Sequence, residues 1–329
     1  MALTRGEILK QQVSLQSQRG MVNVDGVWVS PEVAAACTQR EHVHLLKIAA
    51  VAQTYQNVVI AGASSLIACG IPVPDVPAQV DVFLPGRRGG DRKHVVQFRT
   101  HKQCSFTRQY EDLSGLRVSP VGEATFDALR WGPQRLDTAV ALLDSVSYVT
   151  STPLLFFQSV YQRQVAAHRR YRRLYIDRAL ELACVNVQSI RESMLRMALY
   201  ERGYPAPIVQ TRLFSHRQQW LGQPDLFYRE VRVALEYDGQ GKFHGEFGKD
   251  PLQAMSDHRH RSDQIAAMDV RMLHVDSQSW REDAWVPQLD EALRRTCDPF
   301  PESLMAGGRV AWDRRFDIWP MNRWKMDYS

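Results

Sequence analysis

Amphipathic helices alternate with short β-branched runs between residues 190 and 296, and this pattern restricts the fold more than any other feature of the chain. RESMLRMALYERGYP has apolar residues at helical spacing and ends at Gly203 and Pro205. VRVALEYDG and VRMLHVD are typical of buried strands, and PLQAMSDHRHRSDQIAAM between them is typical of a long polar-faced helix. The predicted order α-β-β-β-α-β-α indicates a small α/β domain with a mixed sheet between helices.

The rest of the chain indicates further domains, because 329 residues exceed one ordinary hydrophobic core. Helical spacing in residues 41–70 and 133–182, with the strand-like runs QVDVFLP and HVVQFRTH, predicts an α+β domain. The last helix of the chain is predicted in SWREDAWVPQLDEALRRT. We therefore predict a mixed α/β chain with four parts: 1–40, 41–182, 183–297 and 298–329.

The two ends of the chain carry patterns of their own. Residues 4–19 predict a helix, and the dipeptide Asp25-Gly26 predicts a tight hairpin turn after it. This pair of elements fits either a shortened winged helix or a simple hairpin, and we favour the hairpin.

Residues 298–329 contain three tryptophans, so we expect this tail to pack on the body of the protein or on a partner.

Carboxylates converge at the end of the strand VRVALEYD. Alternation along a strand puts Ala234, Glu236 and Asp238 on one face and Val231, Val233 and Leu235 on the other. If residues 224–228 and 232–238 form a hairpin that turns near Arg229-Glu230, Asp225 lies opposite Glu236.

Clustered carboxylates at the end of a buried strand are costly unless a cation compensates them. Hard divalent cations prefer carboxylate oxygens, so Asp225, Glu236 and Asp238 are predicted to hold Mg²⁺ or Mn²⁺. Such an ion binds a phosphate and lowers the pKa of the attacking water. Lys242, just after the turn at Gly239, is a candidate for stabilising the negative charge of a phosphoryl transition state.

The segments ESMLRMALYERGYPAPIVQ and QPDLFYREVRVALEYDGQGKF resemble the very-short-patch-repair-type endonuclease domains of actinobacterial proteins, which belong to the PD-(D/E)XK superfamily. The resemblance covers about 95 residues and implies a restriction-endonuclease-like core that hydrolyses DNA with Mg²⁺ or Mn²⁺. The catalytic residues that it implies are Glu192, Asp225, Glu236, Asp238 and Lys242. HRHRSDQI resembles the basic helix of this family, with Arg259, Arg261 and Asp263 at matching places. The chain departs from the superfamily pattern at one position: Asp238 stands where the superfamily has its lysine.

Residues 40–180 are similar to the AbiEi-type antitoxins of abortive-infection systems, on the runs AGASSLIACGIPVP, YEDLSGLRVSP and LLDSVSYVTSTP. The two resemblances together imply an endonuclease of phage defence or mobile-element biology. The alternative is a non-catalytic DNA-binding regulator, or an antitoxin-like protein, that keeps a degenerate nuclease fold.

Charge and composition allow a nucleic-acid partner. The net charge is +5, and two basic runs stand out, GRRGGDRK and HRRYRR. Each run is either a phosphate-binding segment or a solvated surface. The candidate DNA contacts are Arg87, Arg88, Arg169, Arg170, Arg172, Arg173, Arg259 and Arg261. A protein partner or a second copy of the chain is also expected.

Targeting signals and cysteine pairs are absent from the sequence pattern. The start, MALTRGEILKQQ, has no apolar signal region, and no apolar run is long enough for a membrane. The five cysteines are scattered, which argues against a disulfide framework and a zinc knuckle. We expect a cytoplasmic protein with no membrane partner.

Overall fold

The computed structural model describes residues 3–84, 95–99, 110–132, 135–167, 173–238 and 263–312. The chain divides into two compact units, Met1–Val185 and Asn186–Ser329. Both units combine helices with mixed sheets, so the predicted mixed α/β class is confirmed at this level. Within the described ranges, no helix is both long and apolar enough to cross a bilayer.

The first unit surrounds a five-stranded sheet with helices. Its helices are α1 Arg5–Leu9, α2 Pro31–Ala36, α3 Arg40–Thr54, α4 Gly62–Ala68, α5 Val121–Trp131, α6 Leu136–Thr150, α7 Leu154–Ala167 and α8 Arg173–Leu182. Its strands are β1 Val22–Val24, β2 Val27–Val29, β3 Val59–Ile60, β4 Val80–Phe83, β5 Val96–Arg99, β6 Glu111–Leu113 and β7 Leu116–Val118. The sheet order is β5-β4-β3-β7-β6, with parallel pairs β4/β5 and β3/β7.

The N-terminal hairpin is confirmed, and the short helix predicted before it is present but ends earlier than expected. Strands β1 and β2 pair around Asp25 and Gly26, both in the left-handed region that such a turn requires. Helix α1 ends at Leu9 rather than Arg19, because the backbone of Ser14 hydrogen-bonds instead with Trp28 of β2.

The second unit contains a five-stranded and a three-stranded sheet. Its helices are α9 Ile190–Glu201, α10 Ser277–Arg281 and α11 Trp285–Leu293. Its strands are β8 Ile208–Val209, β9 Arg212–Phe214, β10 Trp220–Gly222, β11 Leu226–Tyr228, β12 Val233–Asp238, β13 Arg271–Asp276, β14 Met305–Ala306 and β15 Arg309–Val310. The larger sheet has the order β13-β12-β11-β8-β15, and the smaller has β10-β9-β14.

Strands β11 and β12 form the predicted hairpin. They are antiparallel with Leu226 opposite Leu235, and a 3₁₀ turn over Arg229–Val231 joins them. Val231 therefore precedes the strand, which begins at Val233 after a left-handed residue, Arg232. The parallel neighbour of β12 is β13, so the carboxyl ends of both strands lie at one edge of the sheet.

The single closing helix predicted for SWREDAWVPQLDEALRRT is wrong. The segment forms α10 and α11, separated at Asp283, whose φ of +52° interrupts the helical path.

The described part of the tail packs on its own unit, as expected. Phe300 is fully buried against Phe227, and Trp312 packs edge-to-face on Tyr200.

Candidate metal centre

Polar side chains meet where the parallel strands β12 and β13 end. Glu236 is in register with His274, and Asp238 with Asp276. Residues in register on neighbouring strands project to the same face of a sheet. The preceding pair on this face, Ala234 and Met272, belongs to the apolar core, so the face changes from apolar to polar at Glu236.

Glu236, Asp238 and His274 each offer one ligand atom within 4.8 Å of the other two. The imidazole Nδ1 of His274 lies 2.9 Å from Oδ2 of Asp238. Ligand atoms around one small divalent ion are separated by at most about 4.2–4.4 Å, since each bond is about 2.0–2.2 Å long. Small side-chain rotations would therefore bring the three groups around one ion, and two carboxylates with an imidazole suit a divalent metal.

The carboxylate of Glu236 strengthens this fit. It is half-buried, and it has no hydrogen bond or ion pair within the part of the chain that the structure describes. Within that part of the chain, its oxygens are available to coordinate a cation.

Asp225 lies next to this group but is engaged differently. Continuing the β11/β12 register by one residue puts Asp225 opposite Glu236. The side chain is buried, and its Oδ2 accepts a hydrogen bond from the backbone N–H of Tyr237 at 2.8 Å. Its Oδ1 accepts from Nε2 of Gln210 at 3.1 Å. Asp225 is not one of the three residues whose ligand atoms cluster.

Gln210 connects Asp225 to Glu192. Its Nε2 donates to Oε2 of Glu192 at 2.8 Å as well as to Asp225, and its Oε1 accepts from Nε2 of Gln223 at 2.8 Å. The amide thus uses both of its N–H groups on two carboxylates, which a glutamine side chain can do. Gln210 has a φ of +53°, a left-handed conformation just after β8 that turns its side chain into this network.

Helix α9 positions Glu192. Ser189 caps the start of the helix, and its side chain accepts a hydrogen bond from the backbone N–H of Glu192. The carboxylate of Glu192 in turn accepts from the backbone N–H of Gln188 at 3.0 Å. Glu192 therefore holds the helix start and the Gln210 amide at once.

Asp276, the last residue of β13, caps α10 instead of joining the cluster. Its Oδ1 accepts from the backbone N–H groups of Gln278 and Ser279. The hydrogen bonds from Ser279 hold the pKa of Asp276 below its ordinary value. The carboxylate is thus directed to the helix start.

The structure brings together part of the predicted site. Glu236 and Asp238 lie side by side, and Asp225 and Glu192 share the Gln210 amide. His274, Gln210 and Gln223 were not predicted. One signal for His274 was present, because VRMLHVD was predicted to be a strand of the mixed sheet and His274 lies near its end. For the two glutamines the sequence carries no such signal.

Several predicted residues lie outside the described ranges: Lys242, Arg87, Arg88, Arg169, Arg170, Arg172, Arg259 and Arg261. Arg173 is the first residue of α8. Their proposed roles stay predictions.

Comparisons of the chain with protein family models, with curated proteins and with solved structures found no match.

Proposed function

We propose that the second unit is a metal-dependent nuclease that hydrolyses phosphodiester bonds of DNA. The observation that carries this proposal is the cluster of Glu236, Asp238 and His274 at the shared carboxyl edge of two parallel strands. The resemblance to the PD-(D/E)XK superfamily supports it, since β12 carries Glu236 at a position of the family's motif, although Asp238 replaces the family's lysine. The basic balance of the chain, with a net charge of +5, is compatible with a polyanionic substrate.

Glu236, Asp238 and His274 would hold Mg²⁺ or Mn²⁺. Asp225 is a further candidate ligand, because it lies opposite Glu236 at the end of the β11/β12 hairpin and carboxylate oxygens suit a hard divalent cation. When bound, the ion supplies Lewis-acid stabilisation of the scissile phosphate and lowers the pKa of a water nucleophile.

The surrounding residues would orient these ligands. The backbone N–H of Tyr237 and the Gln210 amide fix the Asp225 carboxylate, and Glu192 fixes the amide. Hydrogen bonds of this kind orient metal ligands, and their loss lowers metal affinity. Lys242 is proposed to stabilise the charge that develops on the phosphate.

A plasmid-nicking assay with Mg²⁺ or Mn²⁺ tests the proposal. We expect the wild type to nick the plasmid only with metal, and Glu236→Gln and Asp225→Asn to lose at least about 100-fold of this activity, since charged metal ligands support the chemistry directly. Glu230→Gln is the matched control, because Glu230 is an exposed carboxylate in the connection between β11 and β12. Equal activity of the wild type and both site variants would exclude the proposed centre.

A non-catalytic DNA-binding regulator is the second candidate. It is favoured by Asp225, whose two oxygens already accept hydrogen bonds, and by Asp238, which already pairs with His274. If the wild type and the site variants bind DNA equally and none cuts it with either metal, the regulator is the better assignment.

A further inference from the structure

A basic, aromatic hairpin lies in the sequence between Gln210 and Gln223, two residues of the hydrogen-bond network beside the proposed site. Strands β9 and β10 pair with Phe214 opposite Trp220, and we name residues 212–220 the 212–220 hairpin. It begins two residues after Gln210 and ends three residues before Gln223, and these glutamines are hydrogen-bonded to each other at 2.8 Å. The base of the hairpin is thereby joined to the network that holds Asp225.

The two faces of the hairpin differ sharply. Leu213 and Leu221 point inward and belong to the apolar core of the unit. The alternate positions point outward, and there Phe214 and Trp220 occupy opposite positions on the two strands. Trp220 is 51% exposed, although an outward position on a half-buried strand is ordinarily polar. Because Leu213 and Leu221 are packed in the apolar core, they anchor the hairpin and fix the outward direction of Phe214 and Trp220.

The hairpin carries positive charge that no ion pair neutralises among the residues that the structure describes. Arg212, His216 and Arg217 are exposed, and residues 202–224 contain no Asp or Glu. Within the described ranges neither Arg212 nor Arg217 forms an ion pair. Other arginines of the unit do, as Arg271 pairs with Glu291 and Arg295 with Asp269.

The hydrogen bonds of the hairpin tip keep its shape. The backbone N–H of Ser215 donates to the carbonyl of Gln219 at 2.9 Å, and that of Gln218 donates to the carbonyl of Ser215 at 2.8 Å. Strand β14 pairs with β9 on the other side, so β10 is the outer strand that presents Trp220. The exposed indole is therefore placed by a closed turn and a paired strand.

We propose that the 212–220 hairpin binds single-stranded nucleic acid, with Trp220 stacked on an unpaired base and Arg212 and Arg217 on the flanking phosphates. An aromatic side chain with unpaired arginines is the combination that binds single strands, because every base has a face to stack and every nucleotide a phosphate. The inference rests on the proposed nuclease function and adds to it a surface that binds unpaired segments of the nucleic acid. Binding without metal is its direct consequence.

Fluorescence anisotropy of a labelled single strand of 20 nucleotides in EDTA tests this proposal, since no cleavage occurs without metal. We expect Trp220→Ala to weaken binding by about 5- to 100-fold and Trp220→Phe to keep most of the affinity, because a phenyl ring still stacks. Phe156→Ala in the first unit is the control, since Phe156 is an apolar ring of similar exposure, 46%. On a strand with abasic sites, the difference between wild type and Trp220→Ala should vanish.

The salt dependence tests the phosphate contacts separately. Arg217→Ala should reduce the slope of log affinity against log salt by about 0.7, the value for one phosphate contact on a single strand. A DNA strand and an RNA strand of one sequence show which sugar the hairpin accepts, and a duplex of the same sequence should bind more weakly. Unchanged affinity of Trp220→Ala, or equal losses for Trp220→Ala and Trp220→Phe, overturns the proposal. If Trp220→Ala binds single strands as well as the wild type does, the hairpin proposal fails but metal-dependent nicking is unaffected. If the wild type binds single strands but does not nick DNA with metal, only the nuclease proposal fails.

Discussion

The imidazole Nδ1 of His274 lies 2.9 Å from Oδ2 of Asp238, across two adjacent parallel strands. The contact brings a nitrogen ligand to a pair of carboxylates that, by themselves, would offer oxygen only. Imidazole suits transition metals, whereas Mg²⁺ is held by carboxylates and water. His274 therefore bears on which metal the proposed centre selects.

We expect His274→Ala to weaken Mn²⁺ binding by about 10- to 100-fold and Mg²⁺ binding by less, because the lost ligand is a nitrogen and its contact with Asp238 is lost with it. Calorimetric titration of each ion into the protein measures both affinities. His216→Ala is the matched control, since His216 is exposed on the 212–220 hairpin. Equal losses for the two ions would show that His274 does not set the metal preference.

The Gln210 amide is predicted to stabilise the second unit by holding two carboxylates. Gln210→Leu removes the shared donor of Glu192 and Asp225 while keeping a side chain of similar size. We expect the free energy of unfolding to fall by about 1–3 kcal/mol, because each carboxylate loses one hydrogen bond in a largely buried site. Urea unfolding measures it, with Gln219→Leu on the exposed hairpin tip as the control. A change no larger than that of the control would contradict a structural role for this amide.

Local sequence patterns predicted the elements around the site well. Alternation in VRVALEYD predicted β12, and the run VRMLHVD predicted β13. The turn near Arg229 and Glu230 was also predicted, so the register that puts Asp225 opposite Glu236 followed from two hairpin strands.

Pairing between distant segments could not be predicted in the same way. His274 meets Asp238 only because β13 lies parallel to β12 after 32 intervening residues, 239–270. Gln210 enters the network through a left-handed backbone conformation, which no local pattern for glutamine indicates. The short strands β14 and β15 add to two sheets from the tail, and their two-residue length leaves no periodicity to detect.

Gly62 at the start of α4 is predicted to be intolerant of any side chain. Its φ is +56°, and a Cβ there would lie 2.9 Å from the ring of Trp131. Gly62→Ala combines backbone strain with displacement of a bulky ring, so we expect a loss of about 2 kcal/mol or more in unfolding free energy. Gly20→Ala isolates the backbone part, because Gly20 has a φ of +82° with no atom within 4 Å of the added Cβ. Urea unfolding of both variants should give the larger loss for Gly62→Ala, and equal losses would show that the Trp131 ring moves freely.

Buried His44 is predicted to make the first unit sensitive to acid. Its Nε2 lies 2.9 Å from Oγ of Ser64, and burial, with the charge of Lys47, lowers the pKa of His44 to about 4. The folded pKa is below the unfolded value of about 6.5, so the unfolded chain takes up the proton first as pH falls. The stabilisation is therefore complete above about pH 6.5 and is lost as pH falls toward 4.

We expect the wild type to lose about 2 kcal/mol of unfolding free energy between pH 7 and pH 5 from this residue alone. His44→Gln removes the titrating group while keeping a donor for Ser64, so its stability should change less over the same interval. The difference between wild type and variant is the relevant quantity, because nearby Asp81 has a pKa raised by burial and opposes the trend equally in both chains. Urea unfolding at the two pH values measures it, with exposed His216→Gln as the control. Parallel pH profiles for wild type and His44→Gln would mean that His44 takes up its proton in the folded chain as readily as in the unfolded one.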